Sequence, residues 1–437
     1  MCATPLGILQ KLRELDQKLI GESQSDLKHG SKSFTRGGPL RPELLITLLV
    51  YMVADGGRRG YRHLLSSFWN DAKNQGVSMP VADPVSAAAF CKARRKLRPH
   101  ALRTLLHAAA DAFDRQHGLA HQWHGRRVLA VDGSRMSVQR APDLWSAFGG
   151  PTGGFTPQIM VTTLFDVIAK LPIDATVTPC NSSEREQLSK LVERLRPDDI
   201  VLLDRGYPSF EVVEMLRARR LDFVMRVPTS NTFSAVEACL ASGQLDATIL
   251  LAPSARSSHQ VAGPISVRMV RREGPGGEAQ CFLTSLPSAT FPRADILALY
   301  RRRWEVELFF RVEKGPYVGH EQFHARTSDG VCQEVFAFLL FVALSRTLMA
   351  AAAEIHAVPY ERISQKGALL ATAARLTLLL LYQRPRRART TFSALIECIA
   401  RCLDAARRQR AYPRRSFKPR PRWGPNGNNN DRERRAG

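Results

Sequence analysis

From Tyr300 to Lys314 the sequence reads YRRRWEVELFFRVEK, which sets Tyr300, Arg303, Glu307, Arg311 and Lys314 at helical spacing. On a helix turning about 100° per residue these five fall on one narrow stripe. Leu299, Val306, Leu308, Phe309, Phe310 and Val312 take the flanks and far side, so the helix can bury most of its surface and present the stripe. A charged stripe on an amphipathic helix is ordinarily a solvated face with mixed charges. Here a lone Glu stands among Tyr300, the flanking Trp304 and several cations, a composition suited to phosphate. A carboxylate facing phosphate needs a cation of its own, which a bound metal supplies.

Two further carboxylates invite the same reading. RRVLAVDG and DDIVLLDRGY each read as a short apolar strand that ends at an aspartate, Asp132 and Asp204, followed by a turn-like sequence. Taken singly, each is explained as well by a strand-end turn or helix cap. If the two strands are neighbours, the carboxylates lie side by side, a costly arrangement unless a cation binds between them. Glu307 would then complete an oxygen-donor set suited to two Mg²⁺ ions, with Mn²⁺ as a substitute, clamping the attacking and leaving oxygens of a phosphodiester displacement.

Positioning such a set requires a particular order of elements. From Arg126 the pattern is RRVLAVDG, then TPQIMVTTLFDV and LPIDATVTP as two strands, then a helix over roughly 183–195 opened by a capping box of Ser183 and Glu186. DDIVLLDRGY, a helix over about 209–219 and the strand LDFVMRVP follow. Strand, strand, strand, helix, strand, helix, strand is the order of a ribonuclease H-like α/β core. Between about 228 and 291, LDATILLAP, ISVRMVRRE and AQCFLTSLP read as a strand-rich insertion with Gly- and Pro-rich turns, placed before the helix that carries Glu307. The expected organisation is a helical region over 1–125, the core over 126–330, a helical region over 331–410 and a basic disordered tail over 411–437.

The flanking helices are expected over about 6–20, 41–54, 61–70, 86–116, 330–356, 364–382 and 391–410. The segment AAAFCKARRKLRPHALRTLL after Ser86 has the look of a basic helix entered through a short turn. It suits a DNA groove or an ordinary packed bundle, since no spacing identifies a helix-turn-helix. His117, His121 and His124 would share a helical face, but Gly118 and polar neighbours favour an exposed connector over a metal site.

Composition narrows the partner. Lys and Arg number 63 against 40 Asp and Glu, a net +23, which favours a polyanion, above all nucleic acid. The eight cysteines contain no CxxC pair and read as reduced, mostly buried thiols, with Cys398 and Cys402 on one helical face by core packing. The beginning of the chain lacks the layout of a signal peptide, and the apolar run over 335–355 is interrupted by Ser345, Arg346 and Thr347. A soluble cytoplasmic protein is expected, with that run as a buried helix, nucleoid association when bound to DNA and no membrane partner.

Tyr300, two residues, Arg303, three residues, Glu307, six residues, Lys314 resembles the Tyr-x2-Arg-x3-Glu-x6-Lys signature of the IS-four family of insertion-sequence DDE transposases. Asp132-Gly133-Ser134 and Asp204-Arg205-Gly206-Tyr207 look like that family's first and second acidic motifs, although a Thr often stands where this chain has Ser134. By motif the similarity covers about 86–330. It implies a cut-and-paste transposase that binds terminal inverted repeats, dimerises into a synaptic complex, and cuts and joins element and target DNA with divalent metal. By position it implies Asp132, Asp204 and Glu307 as metal ligands, Tyr300, Arg303 and Lys314 at the phosphates of a double-stranded DNA end, and Trp304 stacking on a displaced base; Arg311, on the same stripe, is expected to contact DNA as well. A nuclease of the same fold that cuts without joining, or a DNA-binding remnant without catalysis, are the competing readings.

Overall fold

A computed structural model describes residues 27–30, 32–35, 37–55, 59–253, 263–274, 277–313, 323–375, 381 and 385–404. Through Leu403 the chain forms one compact unit; of the second, which begins at Asp404, only that residue is described. The helix expected over 6–20, Lys314 and the basic tail lie outside the described residues.

Among the described residues four α-helices precede the sheet: α1 (Pro42–Ala54), α2 (Tyr61–Asn74), α3 (Ala87–Arg94) and α4 (Pro99–His117). The single helix expected over 86–116 is therefore two. Pro99 has no amide hydrogen to continue a ladder and disfavours helical backbone at Arg98, whose ψ is 146°, so the chain turns there and restarts with Pro99 in the first turn. Arg94 of the basic segment is buried, and it binds Tyr61, Gln333, the Gly330 carbonyl and Glu334. Lys92, Arg95, Lys96 and Arg98 stay exposed. His117 and His121 are not on an exposed connector: both are buried, His117 bonded to Glu354 and His121 packed edge-on against Tyr360.

The strands then follow: β1 (Val128–Ser137), α5 (Pro142–Phe148), β2 (Gln158–Asp166), β3 (Leu171–Pro179), α6 (Glu184–Leu191), β4 (Ile200–Leu203), α7 (Phe210–Ala218), β5 (Asp222–Val227), α8 (Ser234–Ala241), β6 (Asp246–Leu251), β7 (Ile265–Glu273) and β8 (Ala279–Thr284). Among the described residues they form an eight-stranded sheet ordered β3-β2-β1-β4-β5-β8-β7-β6, with β1, β4 and β5 parallel. The expected ribonuclease H-like order is realised, with α5 added between β1 and β2. The insertion extends the same sheet, because β8 pairs antiparallel with β5 and carries β7 and β6 with it. β2 is buried along almost its whole length, as a strand covered on both faces must be. The capping box at the start of α6 is absent: the Ser183 side chain makes no cap bond, and Glu186 pairs with Lys190 instead.

Beyond the sheet come α9 (Arg293–Arg301), α10 (Trp304–Glu313), α11 (Ser328–Ile355), α12 (Gln365–Ala373) and α13 (Pro385–Arg401). The expected single helix up to Lys314 is broken between α9 and α10. There the amides of Arg302, Arg303, Glu305 and Val306 bond to carbonyls three residues back, a tightened turn with no Gly or Pro to announce it. α11 is long and apolar enough to cross a membrane, but its most apolar stretch is wholly buried, against α1, α4, α12, α13 and β3. Arg346 is fully buried within it and donates to the Lys170 carbonyl and to Gln365. The seven described cysteines are free thiols, but only Cys180, Cys239 and Cys281 are buried; Cys398 is exposed and Cys402 half-buried, so core packing does not explain that pair.

Candidate active site

The two aspartates meet where β1 and β4 run parallel. That ladder ends at Ala130 opposite Leu202, two residues before each aspartate, so Asp132 and Asp204 both leave the same end of the paired strands, and the charge of Asp204 acts on Asp132. Asp132 does not end its strand as expected. β1 continues through Gly133 and Ser134 because β2 keeps pairing with it, Thr163 opposite Asp132 and Thr162 opposite Gly133. Only the β4 side opens, which leaves Asp132 at a step in the sheet. Asp204 lies in a turn, its Oδ1 accepting from the Gly206 amide at 2.8 Å; Asp132 Oδ1 accepts from the Gly133 amide at 2.9 Å.

Glu307 arrives on α10, which packs on β1. Its carboxylate accepts from Arg303 Nη2, and Arg303 Nη1 lies 3.6 Å from Asp132 Oδ2. Arg303, only 12% exposed, thus stands between two of the three expected ligands. The Asp132 carboxyl is pushed up to about 7, first by burial and further by Asp204 and Glu307, against the pull of Arg303. Tyr300 is buried on α9. Its hydroxyl donates to the Leu203 carbonyl at 3.3 Å, and its ring packs on Phe282 of β8 with centroids 4.7 Å apart, so it fixes α9 to the end of β4. Trp304 is 36% exposed and Arg311 is exposed.

The structure adds residues that sequence reading passed over. Arg272 of β7 lies over the Phe282 ring at 5.6 Å, and burial together with Arg301 and Arg226 pulls its pKa down. A guanidinium whose charge is disfavoured by two neighbouring arginines is a ready match for phosphate. Glu184, the first residue of α6, has its carboxylate 3.1 Å from where a Cβ on Gly133 would stand and 3.4 Å from the same point on Gly206. Burial, then Asp204, raises its pKa despite Arg135. Tyr207 is wholly buried and its hydroxyl has no hydrogen-bond partner. After burial, the charges of Glu184, Asp132 and Asp204 push that hydroxyl's pKa well up, against the pull of Arg303. The available signal was the glycine after Asp132 and the one two residues past Asp204, each of which leaves room for another group.

The donor set suits a divalent cation. Hard carboxylate oxygens crowd together, one carboxyl is forced towards its neutral form, and a buried hydroxyl lacks a partner. Among the described residues no three Asp, Glu, His or Cys side chains already stand close enough to enclose an ion. Arg303 must release Asp132 or Glu307 before both can turn to a metal.

A family model described as "Transposase DDE domain" matches residues 123–344, just over half of the 437 residues. Among curated proteins, "Transposase InsG for insertion sequence element IS4" of Escherichia coli (strain K12) is 22% identical over 280 residues. That match covers 62% of this chain and 62% of the relative's length. A cryo-EM structure of a piggyBac transposase synaptic complex with hairpin DNA aligns at 12% identity and a TM-score of 0.46, covering 89% of this chain and 82% of that one. A similarity at that level carries no argument.

Proposed function

The chain belongs to the DDE transposase domain family, and from that membership we propose that it is the transposase of an insertion sequence. In this reading it binds terminal inverted repeats, cuts at the element ends and joins them to target DNA as a homodimer in a synaptic complex, acting in the cytoplasm on nucleoid DNA. The observation that supports the proposal is that Asp132 and Asp204 follow the same end of the parallel β1–β4 ladder, with Glu307 joined to Asp132 through Arg303. Asp132, Asp204 and Glu307 would hold Mg²⁺ or Mn²⁺. When bound, such ions activate a water and stabilise the leaving 3′ oxygen of a phosphodiester.

The chain's own residues do the rest. Tyr300 and the tightened turn after α9 set the orientation of α10, and with it Glu307, against the end of β4. Arg301, Arg226 and Arg272, with Arg311 on α10, offer positive charge to the DNA backbone, and Trp304 offers a partly exposed ring to a base. The helical region over 1–125 is assigned to DNA binding through its exposed cations, the region over 331–410 to dimerisation and the tail to nonspecific phosphate contacts.

The test uses duplexes that carry the inverted repeats flanking the coding region, with Mg²⁺ or Mn²⁺, scored for nicking and for strand transfer from a pre-cut end. Asp132→Asn, Asp204→Asn and Glu307→Gln are each expected to abolish cleavage while mobility-shift binding persists. Normal cleavage by Glu307→Gln overturns the site assignment. Cleavage without joining makes the protein a nuclease, and binding without either makes it a catalytically inactive remnant.

A further inference from the structure

Resting on that reading, we propose that Glu184 is a fourth carboxylate of the metal site, holding a divalent cation together with Asp204 and Asp132, beside the Tyr207 hydroxyl. α6 packs against β1, β2 and β3 and so projects its first residue over the step where β1 and β4 part. A Cβ on Gly133 would meet Glu184 Oε1 at 3.1 Å. A Cβ on Gly206 would meet Glu184 Oε2 at 3.4 Å and Asp204 Oδ1 at 3.3 Å, so those two carboxylates border a single point. The absence of side chains at both glycines is what admits the Glu184 carboxylate to the turn after each aspartate.

Charge balance argues the same way. Arg303 serves the Asp132–Glu307 side of the site. On the Asp204–Glu184 side no described cation lies within ion-pair distance of Glu184, and Arg135 acts on it only at longer range. The Tyr207 hydroxyl is wholly buried and without a hydrogen-bond partner among the described residues, and of the charges that act on it that of Glu184 is the largest. Buried hydroxyls are almost always satisfied by protein or water, so an unpaired one among carboxylates marks the place of a hydrated ligand. Oxygen donors of this charge select a hard divalent ion.

Mn²⁺ alone is the probe, titrated calorimetrically into the metal-free full-length protein, with circular dichroism and thermal unfolding in EDTA as the fold control. Glu184→Gln is expected to weaken Mn²⁺ binding by about tenfold or more and to reduce the Mn²⁺-induced rise in Tm, while leaving the EDTA melting curve no lower than that of the parent. A lower melting point in EDTA with unchanged Mn²⁺ affinity would make Glu184 structural and overturn the proposal. Should Glu184→Gln not fold, Glu184→Asp, whose shorter side chain withdraws from Gly206, is expected to give the same loss, and wild-type affinity there overturns it equally. Asp204→Asn separates the two levels of inference. If it loses Mn²⁺ binding and Glu184→Gln does not, only the role of Glu184 fails; if neither changes binding, the metal site of the proposed transposase fails with it.

Discussion

Replacing Asp132 by Asn should stabilise the metal-free protein, and the gain should vary with pH. At about 1.4 kcal/mol per pKa unit, the rise from the ordinary aspartate value of 3.8 to about 7 means that the ionised carboxylate costs the fold up to about 4 kcal/mol. For an acid with a raised folded pKa, the folded state holds the proton more tightly than the unfolded one. The associated stability is fully present below about pH 4, where both states are protonated, and is lost as the pH rises to about 7. Asn keeps the shape and does not titrate, and Arg303 retains Glu307, so no cation is stranded. Urea unfolding in EDTA at a series of pH values, followed by tryptophan fluorescence, should therefore show the variant drawing ahead of the wild type between about pH 4 and 7 and holding its lead above. Mn²⁺ should reverse the order, because it repays the wild type for ionising and offers Asn little. A wild type and variant whose unfolding free energies stay a constant difference apart across that range would refute the claim that burial and neighbouring carboxylates set the state of Asp132.

Two further outcomes follow from the ion pairs. Glu334→Ala leaves Arg94 buried without its carboxylate and the His324 and Ala325 amides without their acceptor, so it should cost about 3–5 kcal/mol in urea unfolding, whereas Arg94→Met with Glu334→Leu should recover most of that. Arg303→Gln should leave the salt dependence of DNA binding unchanged in EDTA, where Arg303 serves carboxylates, and should lower the log–log slope by about one when Mn²⁺ is present; an equal change in both conditions would show that Arg303 faces phosphate throughout.

The order of strands was legible because apolar runs of strand length, bounded by turn residues, are a local property. β1 to β5 and the three strands of the insertion all form where the sequence places them. What escaped were features decided by partners distant in sequence. Asp132-Gly133 reads as a turn, yet β2 continues to pair with it, so the strand does not end. Nothing local distinguishes Arg302 and Arg303 from a helix interior. The break there accompanies two tertiary bonds, Tyr300 to the Leu203 carbonyl and Arg303 towards Asp132, which fix the two helices to different parts of the sheet edge. His117 and His121 looked exposed beside Gly118 because the aromatic wall that buries them includes Tyr360, far along the chain.

The same distinction explains why candidate carboxylates could be named from the sequence while their counter-charges could not. Residue type and position on a strand or helix are set along the chain, and they put forward Asp132, Asp204 and Glu307 as candidates. Neutralisation is settled by distances of a few ångströms across elements. The arginine that a helical stripe assigns to phosphate is spent, in the metal-free protein, on Asp132 and Glu307. The arginines that crowd one another, Arg226, Arg272 and Arg301, come from β5, β7 and α9, and no spacing along the chain relates them. Because Arg303 cannot hold both carboxylates and also face a phosphate, a cation entering between Asp132 and Asp204 would free it for DNA. In the proposed transposase, metal loading and engagement of the DNA end would then be coupled through one side chain, and reciprocally: DNA that draws Arg303 away should tighten the binding of metal by the same factor.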